Sequence, residues 1–222
     1  MIKKKIMKMN ETLATAHRSK AMLRIWDPLI RVFHWSLVVA FVVAYLSAEQ
    51  LSTVHEIAGY VVAGLIAFRL IWGFVGGKYA RFSQFLRGPS QTIGYIGDVV
   101  RGKEHRYLGH NPAGAAMTVA LLLTLAGTAF TGWLLEDGAR IATLPEQPQI
   151  ISPADADGGD AGHGGRGSEA VKEVHEVLAN LMLLLIAAHV GGVVLSSFRH
   201  KENLAQSMVT GDKRAADPAD IS

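Results

Sequence analysis

Residues 171–197 read VKEVHEVLANLMLLLIAAHVGGVVLSS, an apolar stretch long enough to cross a bilayer as a helix. Two histidines, His175 and His189, lie inside it, where an ionisable ring is costly and usually functional. Their separation of 189 − 175 = 14 residues turns an α-helix through about 1400°, close to four full turns, with a rise of ~21 Å. The rings therefore face the same way, one near each side of a hydrocarbon layer about 30 Å thick, as two stacked metal centres would require.

The composition agrees with a membrane protein. Half of the 222 residues are hydrophobic and only 18% are charged, which is unusual for a soluble domain. Four apolar stretches, at about 30–48, 54–76, 113–135 and 171–197, are each long enough to span a membrane. The sequence therefore predicts an all-α integral membrane four-helix bundle at 24–214, with an N-terminal extension at 1–23 and a C-terminal tail at 215–222.

The basic residues predict the orientation of these spans. Lys and Arg number seven before the first span, six between the second and third, and four after the last, whereas the two opposite loops hold only Arg140 and Arg166. By the positive-inside rule, both termini and the 77–112 loop are cytoplasmic, and the acidic 136–170 loop lies outside. Orientation and contact with anionic membrane lipid explain the net charge of +3, so nucleic-acid binding is not expected.

Two further histidines pair with the first two by depth. His34, about one turn inside the cytoplasmic start of the first span, pairs with His189, and His55, at the outer start of the second span, pairs with His175. Haem iron accepts imidazole on both axial faces, which gives a low-spin centre suited to electron transfer. Because the chain has no cysteine, c-type attachment is excluded, and two non-covalent bis-histidine b haems are predicted.

Two glycines lie on the ligand-bearing faces of these helices. Gly59 follows His55 by four residues, and Gly192 follows His189 by three. A missing side chain there would leave room for a porphyrin. The alternative is close helix packing through small residues, as for Gly64 and Gly127, and both interpretations stay open.

Two arginines are candidates for pairing with a haem propionate. Arg69 interrupts an apolar run and follows His55 by 14 residues, so it should point inwards at the depth of the lower haem. Arg31, three residues before His34, is the second candidate. For both, the alternative is that the side chain snorkels to the cytoplasmic headgroups.

His110 belongs to the segment Gly109-His110-Asn111-Pro112, which precedes the third span. Asn111 is placed to cap that helix and Pro112 to occupy its first turn. His110 then lies at the cytoplasmic rim, where four roles are open. These roles are ligation of iron in place of His34, donation of a hydrogen bond to a propionate, relay of a proton for quinone, and that of an ordinary interfacial polar residue.

A short amphipathic helix is predicted near 90–100, within the loop between the second and third spans. Its apolar side would consist of Ile93, Tyr95, Ile96, Val99 and Val100. Two interpretations are equally supported. The helix lies on the inner membrane surface, or it is an ordinary connection packed on the base of the bundle.

Several motifs follow one another along the chain between about Arg24 and Arg214. They are Trp26-Asp27-Pro28, Arg31-Val32-Phe33-His34-Trp35, Val54-His55-Glu56 with Gly59-Tyr60, Arg69-Leu70-Ile71-Trp72-Gly73-Phe74, Gly109-His110-Asn111-Pro112, Val174-His175-Glu176, Ala188-His189 and His200-Lys201-Glu202-Asn203-Leu204. In this order they resemble the bacterial cytochrome b561 and nickel-hydrogenase b-type cytochrome subunits. The resemblance implies a subunit of the bacterial inner membrane that passes electrons between the quinone pool and a partner redox protein, such as a hydrogenase, a dehydrogenase or a periplasmic cytochrome.

Three classes of function stay open. An electron-transfer subunit of a respiratory oxidoreductase explains all four histidines together. A stand-alone enzyme could oxidise a small reductant such as superoxide and reduce quinone, although the acidic, glycine-rich stretch from Asp155 to Gly167 offers no cationic funnel. A haem-free metal or proton transporter would need the histidines to converge on one site. The chain shows no nucleotide-binding glycine motif and no nucleophile constellation, which leaves no substrate chemistry beyond redox exchange.

Overall fold

The structure is a computed structural model that describes residues 22–136, 164–215 and 220–221. Residues 1–21 of the predicted extension and most of the predicted outer loop, 137–163, lie outside the described residues. In chain order the elements are β1 (Met22–Arg24), α1 (Pro28–Ser47), α2 (Ser52–Val75), α3 (Phe82–Phe85), α4 (Pro89–Arg101), α5 (Pro112–Glu136), α6 (Gly164–Arg199), α7 (Leu204–Thr210) and β2 (Asp212–Arg214).

Four of the described helices, α1, α2, α5 and α6, are long and apolar enough to cross a membrane. This confirms the predicted all-helical fold with four spans, and three of the helices begin and end within two residues of the predicted limits. Helix α6 begins at Gly164, seven residues before the predicted span. The difference has a physical reason, since Glu169, Lys172 and Glu173 are too polar for a hydrocarbon layer but favour a helix.

Side-chain caps explain where two of the membrane helices begin. Asp27 Oδ1 accepts a hydrogen bond of 2.7 Å from the backbone N–H of Leu29 at the start of α1. Asn111 Oδ1 accepts one of 2.7 Å from Gly114 at the start of α5, as predicted. Each cap satisfies a backbone donor that has no partner inside the first helical turn.

Close approaches between Cα atoms divide the chain into two compact units. Of the described residues, the first unit comprises 22–38, 67–119, 187–215 and 220–221, and the second comprises 39–66, 120–136 and 164–186. The first unit contains a small sheet that was not predicted, in which β1 pairs antiparallel with β2. Strands of three residues are too short to leave a periodic pattern in the sequence.

A cluster of buried charges also lies in the first unit. Arg106 forms ion pairs with Glu202, at 2.9 Å, and with Asp220. Lys213 Nζ lies 3.6 Å from the Glu202 carboxylate and donates to the carbonyl of Leu108 at 3.0 Å. Burial opposes the charge on Glu202, but the hydrogen bond from Arg106 and the charge of Lys213 outweigh it and lower the pKa of Glu202. These contacts attach the C-terminal segment to the residues that precede α5.

Candidate metal centres

His55 and His175 face each other in the second unit. Their ring centroids are 6.1 Å apart and their planes meet at 75°. An imidazole nitrogen binds a metal ion at about 2 Å, and it lies about 1 Å from its own ring centre, so two axial imidazoles on one metal place their centroids about 6 Å apart. At the observed separation, both imidazoles could hold the same iron.

The hydrogen bonds of the two rings orient them for this role. His55 Nδ1 lies 2.8 Å from the carbonyl oxygen of Ala44, which can only accept, so Nδ1 is the donor. His175 Nδ1 lies 3.0 Å from the hydroxyl of Thr131, and that hydroxyl donates to the carbonyl of Gly127 at 2.9 Å, so it accepts from His175. With the proton on Nδ1, each Nε2 has its lone pair free to bind a metal.

The contact with Thr131 leads to a testable prediction. Thr131→Val removes the acceptor while keeping the shape of the side chain, and we expect the site that holds His175 to lose roughly 10–100-fold in haem affinity, because such supporting hydrogen bonds orient the ligand. The measurement is the rate of haem transfer from the purified protein to apomyoglobin. Thr128→Val is the matched control, since the Thr128 hydroxyl donates to the carbonyl of Thr124. Equal rates for the two variants would contradict the assignment.

The space around the glycines separates the two interpretations left open by the sequence. A Cβ built on Gly59 or Gly192 would meet no atom within 4 Å, so close helix packing does not require either glycine. Gly64 is equally open, whereas a Cβ on Gly127 would lie 3.1 Å from Leu178, as close helix packing requires. A Cβ on Gly132 would lie 3.2 Å from the His175 ring, so this glycine lets α5 approach that ring closely.

His34 and His189 lie in the first unit, close enough for their charges to interact. His34 makes an edge contact with Trp35, at 5.2 Å between ring centroids. Its Nδ1 is buried and has no hydrogen-bond partner among the described residues. A buried polar nitrogen without a partner is costly, which fits a ring that would be oriented by a bound group. The second predicted pair thus lies within one compact unit, without a ring contact like that of the first.

Arg69 is buried, with 3% of its surface exposed. Its guanidinium lies 4.6 Å from the centroid of the Phe82 ring and 5.9 Å from that of Phe85. Nη1 has no hydrogen-bond partner in the described part of the chain. The side chain is therefore enclosed by aromatic rings rather than exposed towards headgroups, and it keeps a free donor for an anionic group.

Arg31 is held by the C-terminal part of the chain. Its Nη1 donates to the carbonyl of Val209, in the last turn of α7, while Nε is buried without a partner among the residues described. Trp35, one turn further along α1, donates to the carbonyl of Met208 at 3.2 Å. The carbonyls at the end of a helix carry a partial negative charge, which favours a cation there.

His110 packs between two aromatic rings. Its ring centroid is 4.9 Å from that of Trp26 and 4.5 Å from that of Phe85. Burial, with the charges of Arg69, Lys213 and His189, lowers the pKa of His110 to about 3, so the ring is neutral at physiological pH. Nδ1 is buried and unpartnered within the described residues. His110 therefore lies near both Arg69 and His189, and its four predicted roles stay open.

A single converging metal site of the kind that a transporter would need is not found in the described ranges. No group of three or more His, Asp or Glu side chains within them is placed to hold a metal ion. Among the membrane histidines, His55 lies against His175, whereas His34 and His189 lie in the other unit. Sequence reasoning missed Ala44, Thr131 and Gly132, which orient or admit the rings of the first pair.

Comparison with known proteins gives consistent results. The sequence model of the prokaryotic cytochrome b561 family matches residues 25–211. A probable Ni/Fe-hydrogenase B-type cytochrome subunit of Rhizobium leguminosarum bv. viciae is 22% identical over 96% of this chain and 100% of its own length. A protein of the same name from Bradyrhizobium diazoefficiens is 23% identical over 87% of this chain and 86% of its own length. No solved structure matches the chain significantly.

Proposed function

The chain belongs to the prokaryotic cytochrome b561 family, and we propose that it is a di-haem subunit that passes electrons between the quinone pool and a partner redox protein. It is a membrane b-type cytochrome, and the family implies haem and electron transfer. The proposal assigns one haem to His55 and His175 and the other to His34 and His189, within a domain at 24–214. The observation that carries it is the 6.1 Å separation of the His55 and His175 rings.

The residues of the first pair fit the role of haem ligands because a hydrogen bond at Nδ1 orients each ring. Ala44 and Thr131 hold the Nδ1 protons, so each Nε2 can bind iron. Gly59 leaves open space four residues from His55. A b haem held by His55 and His175 would supply a one-electron couple, which suits electron transfer rather than substrate binding.

The second pair would hold the other haem near the cytoplasmic side. Helix α6 contributes one histidine to each pair, 14 residues apart, which corresponds to a rise of ~21 Å. We propose that Arg69 donates to a propionate of this haem, and that Arg31 and His110 border the same site. Both termini are proposed to be cytoplasmic, because seven, six and four Lys and Arg flank the spans on that side.

The proposed partner is a hydrogenase, because both curated relatives are named as hydrogenase cytochrome subunits and the alignments cover most of each chain. Quinone is proposed as the exchangeable electron carrier within the membrane. Among the described residues, the cluster of Arg106, Glu202 and Lys213 is already satisfied internally, so it is not assigned to either partner.

The quinone step can be tested with the purified protein. We expect a soluble quinol analogue to reduce both haems. We also expect a quinone analogue to reoxidise protein that has been reduced with dithionite and then freed of the excess. The visible haem bands follow both reactions. The matched control is a quinone-free solution treated in the same way. Haems that respond to dithionite but neither to quinol nor to quinone would overturn the quinone assignment and leave the haem assignment standing.

Arg69 provides a further prediction. Arg69→Leu removes the buried donor, and we expect it to change the redox potential and spectrum of the haem held by His34 and His189 only, since the other pair lies in a different compact unit. A redox titration of the two haems measures this effect. Arg81→Leu is a suitable control, because Arg81 donates to the carbonyl of Gly76 and is exposed. Unchanged titrations of both haems would count against the pairing with a propionate.

A further inference from the structure

Helix α4 carries an apolar stripe that no described residue covers. Ile93, Ile96 and Val100 are 70%, 48% and 80% exposed, and their spacing of three and four residues places them along one side of the helix. Tyr95 projects from the opposite side, is only 7% exposed, and its ring centroid lies 5.7 Å from that of Tyr107. The helix therefore packs on the protein through Tyr95 and presents the stripe outwards.

One contact precedes α4 in the chain and others lie at its C-terminal end, and all of them involve the ends of membrane-length helices. Before its start, the Phe82 ring centroid lies 5.8 Å from that of Phe74, near the end of α2. At its other end, Arg199, the last residue of α6, donates to the carbonyl of Val99 and to the carboxylate of Glu104 at 2.8 Å. A helix of 13 residues, ~20 Å long, is thus attached at its C-terminal end to the end of α6.

Exposed apolar side chains also lie at those helix ends. Phe74 and Val75, at the end of α2, and Phe198, at the end of α6, are among the most exposed large apolar residues of the chain. Side chains of this kind at the end of a membrane span lie against the lipid boundary. The exposed cations Arg87, Arg101 and Lys103 lie at or beyond the two ends of α4, where lipid headgroups would be met.

We propose that the occupant of the stripe is the lipid of the membrane that the protein crosses, with α4 lying in the interface and Ile93, Ile96 and Val100 inserted among the acyl chains. Amphipathic helices of this kind bury their apolar side below the headgroups and keep their cations at headgroup level. Helix α4 then anchors the base of the protein at a fixed depth. Both interpretations that the sequence left open are combined, since one side packs on the protein and the other on lipid.

The absence of cysteine makes the test direct, because a single introduced cysteine can be labelled selectively. Ile93→Cys, Ile96→Cys and Val100→Cys are each labelled with bimane in the full-length, haem-loaded protein in lipid nanodiscs. Quenching by nitroxide-labelled phospholipid is compared with quenching by aqueous iodide. Gln91→Cys is the matched control, because Gln91 is exposed on the side of the helix away from Ile93. Retained haem spectra show that each variant is folded.

We expect the ratio of lipid quenching to iodide quenching to be at least about threefold higher at the three stripe positions than at Gln91. Iodide quenching at the stripe equal to that at Gln91, with no effect of the nitroxide lipid, would overturn the proposal. The result does not depend on electron transfer, so a failure here leaves the proposed redox function untouched, and a failure of the quinone experiment leaves the lipid contact untouched.

Discussion

His175→Ala is expected to remove one of the two haems and leave the other in place, and His55→Ala is expected to remove the same one. Both predictions follow from the facing rings, since an iron that loses either axial imidazole keeps only one bond to the protein. The haem-to-chain ratio should therefore fall by half in each variant. The spectrum and redox midpoint of the remaining haem should be the same in the two variants.

Thr128→Ala is the control for this pair, because it alters the same level of α5 without removing a ring or the Thr131 acceptor. It should retain both haems. If His55→Ala and His175→Ala each left a different haem behind, the two rings would not share an iron, and the pairing would be wrong even though the haem count was right.

His189→Ala and His34→Ala are expected to remove the other haem. These two rings lie in the first unit, where Arg69 offers a buried donor. The haem that survives should match the one lost from His175→Ala, so the four variants together should produce only two difference spectra. Reduced-minus-oxidised spectra with a pyridine haemochrome assay measure this outcome.

His110→Ala tests the alternative ligand at the same site. His110 lies near His189 and is neutral at physiological pH, so its ring is chemically able to bind iron. If His34 is the ligand, His110→Ala retains both haems, with at most a shift in potential. If His110→Ala lost a haem and His34→Ala retained both haems, the ligand would be His110 and not His34.

The membrane architecture could be predicted because long apolar runs leave a strong signal in the sequence. The four spans and the cap at Asn111 were all predicted and are present. The early start of α6 was not, since hydropathy reports the lipid-facing length and not the length of the helix. The pairing of β1 with β2 joins residues almost 200 positions apart, which no local pattern reveals.

The supporting groups of the first site could not be predicted from a single sequence. Ala44 acts through its backbone carbonyl, which every residue possesses, so its identity carries no signal. Thr131 is one of four threonines in α5, and like Thr118 and Thr128 it donates to a carbonyl of its own helix. Only the relative rotation of α5 and α6 within the second unit decides which threonine meets His175.

The central claim is that this chain holds two b haems on two histidine pairs, and the number of haems per chain tests it most directly. The chain would be expressed in membranes with haem supplied, purified in detergent, and analysed by pyridine haemochrome against amino-acid analysis. The account predicts two non-covalent b haems per chain. A folded, haem-supplied protein that binds one haem or none would contradict it.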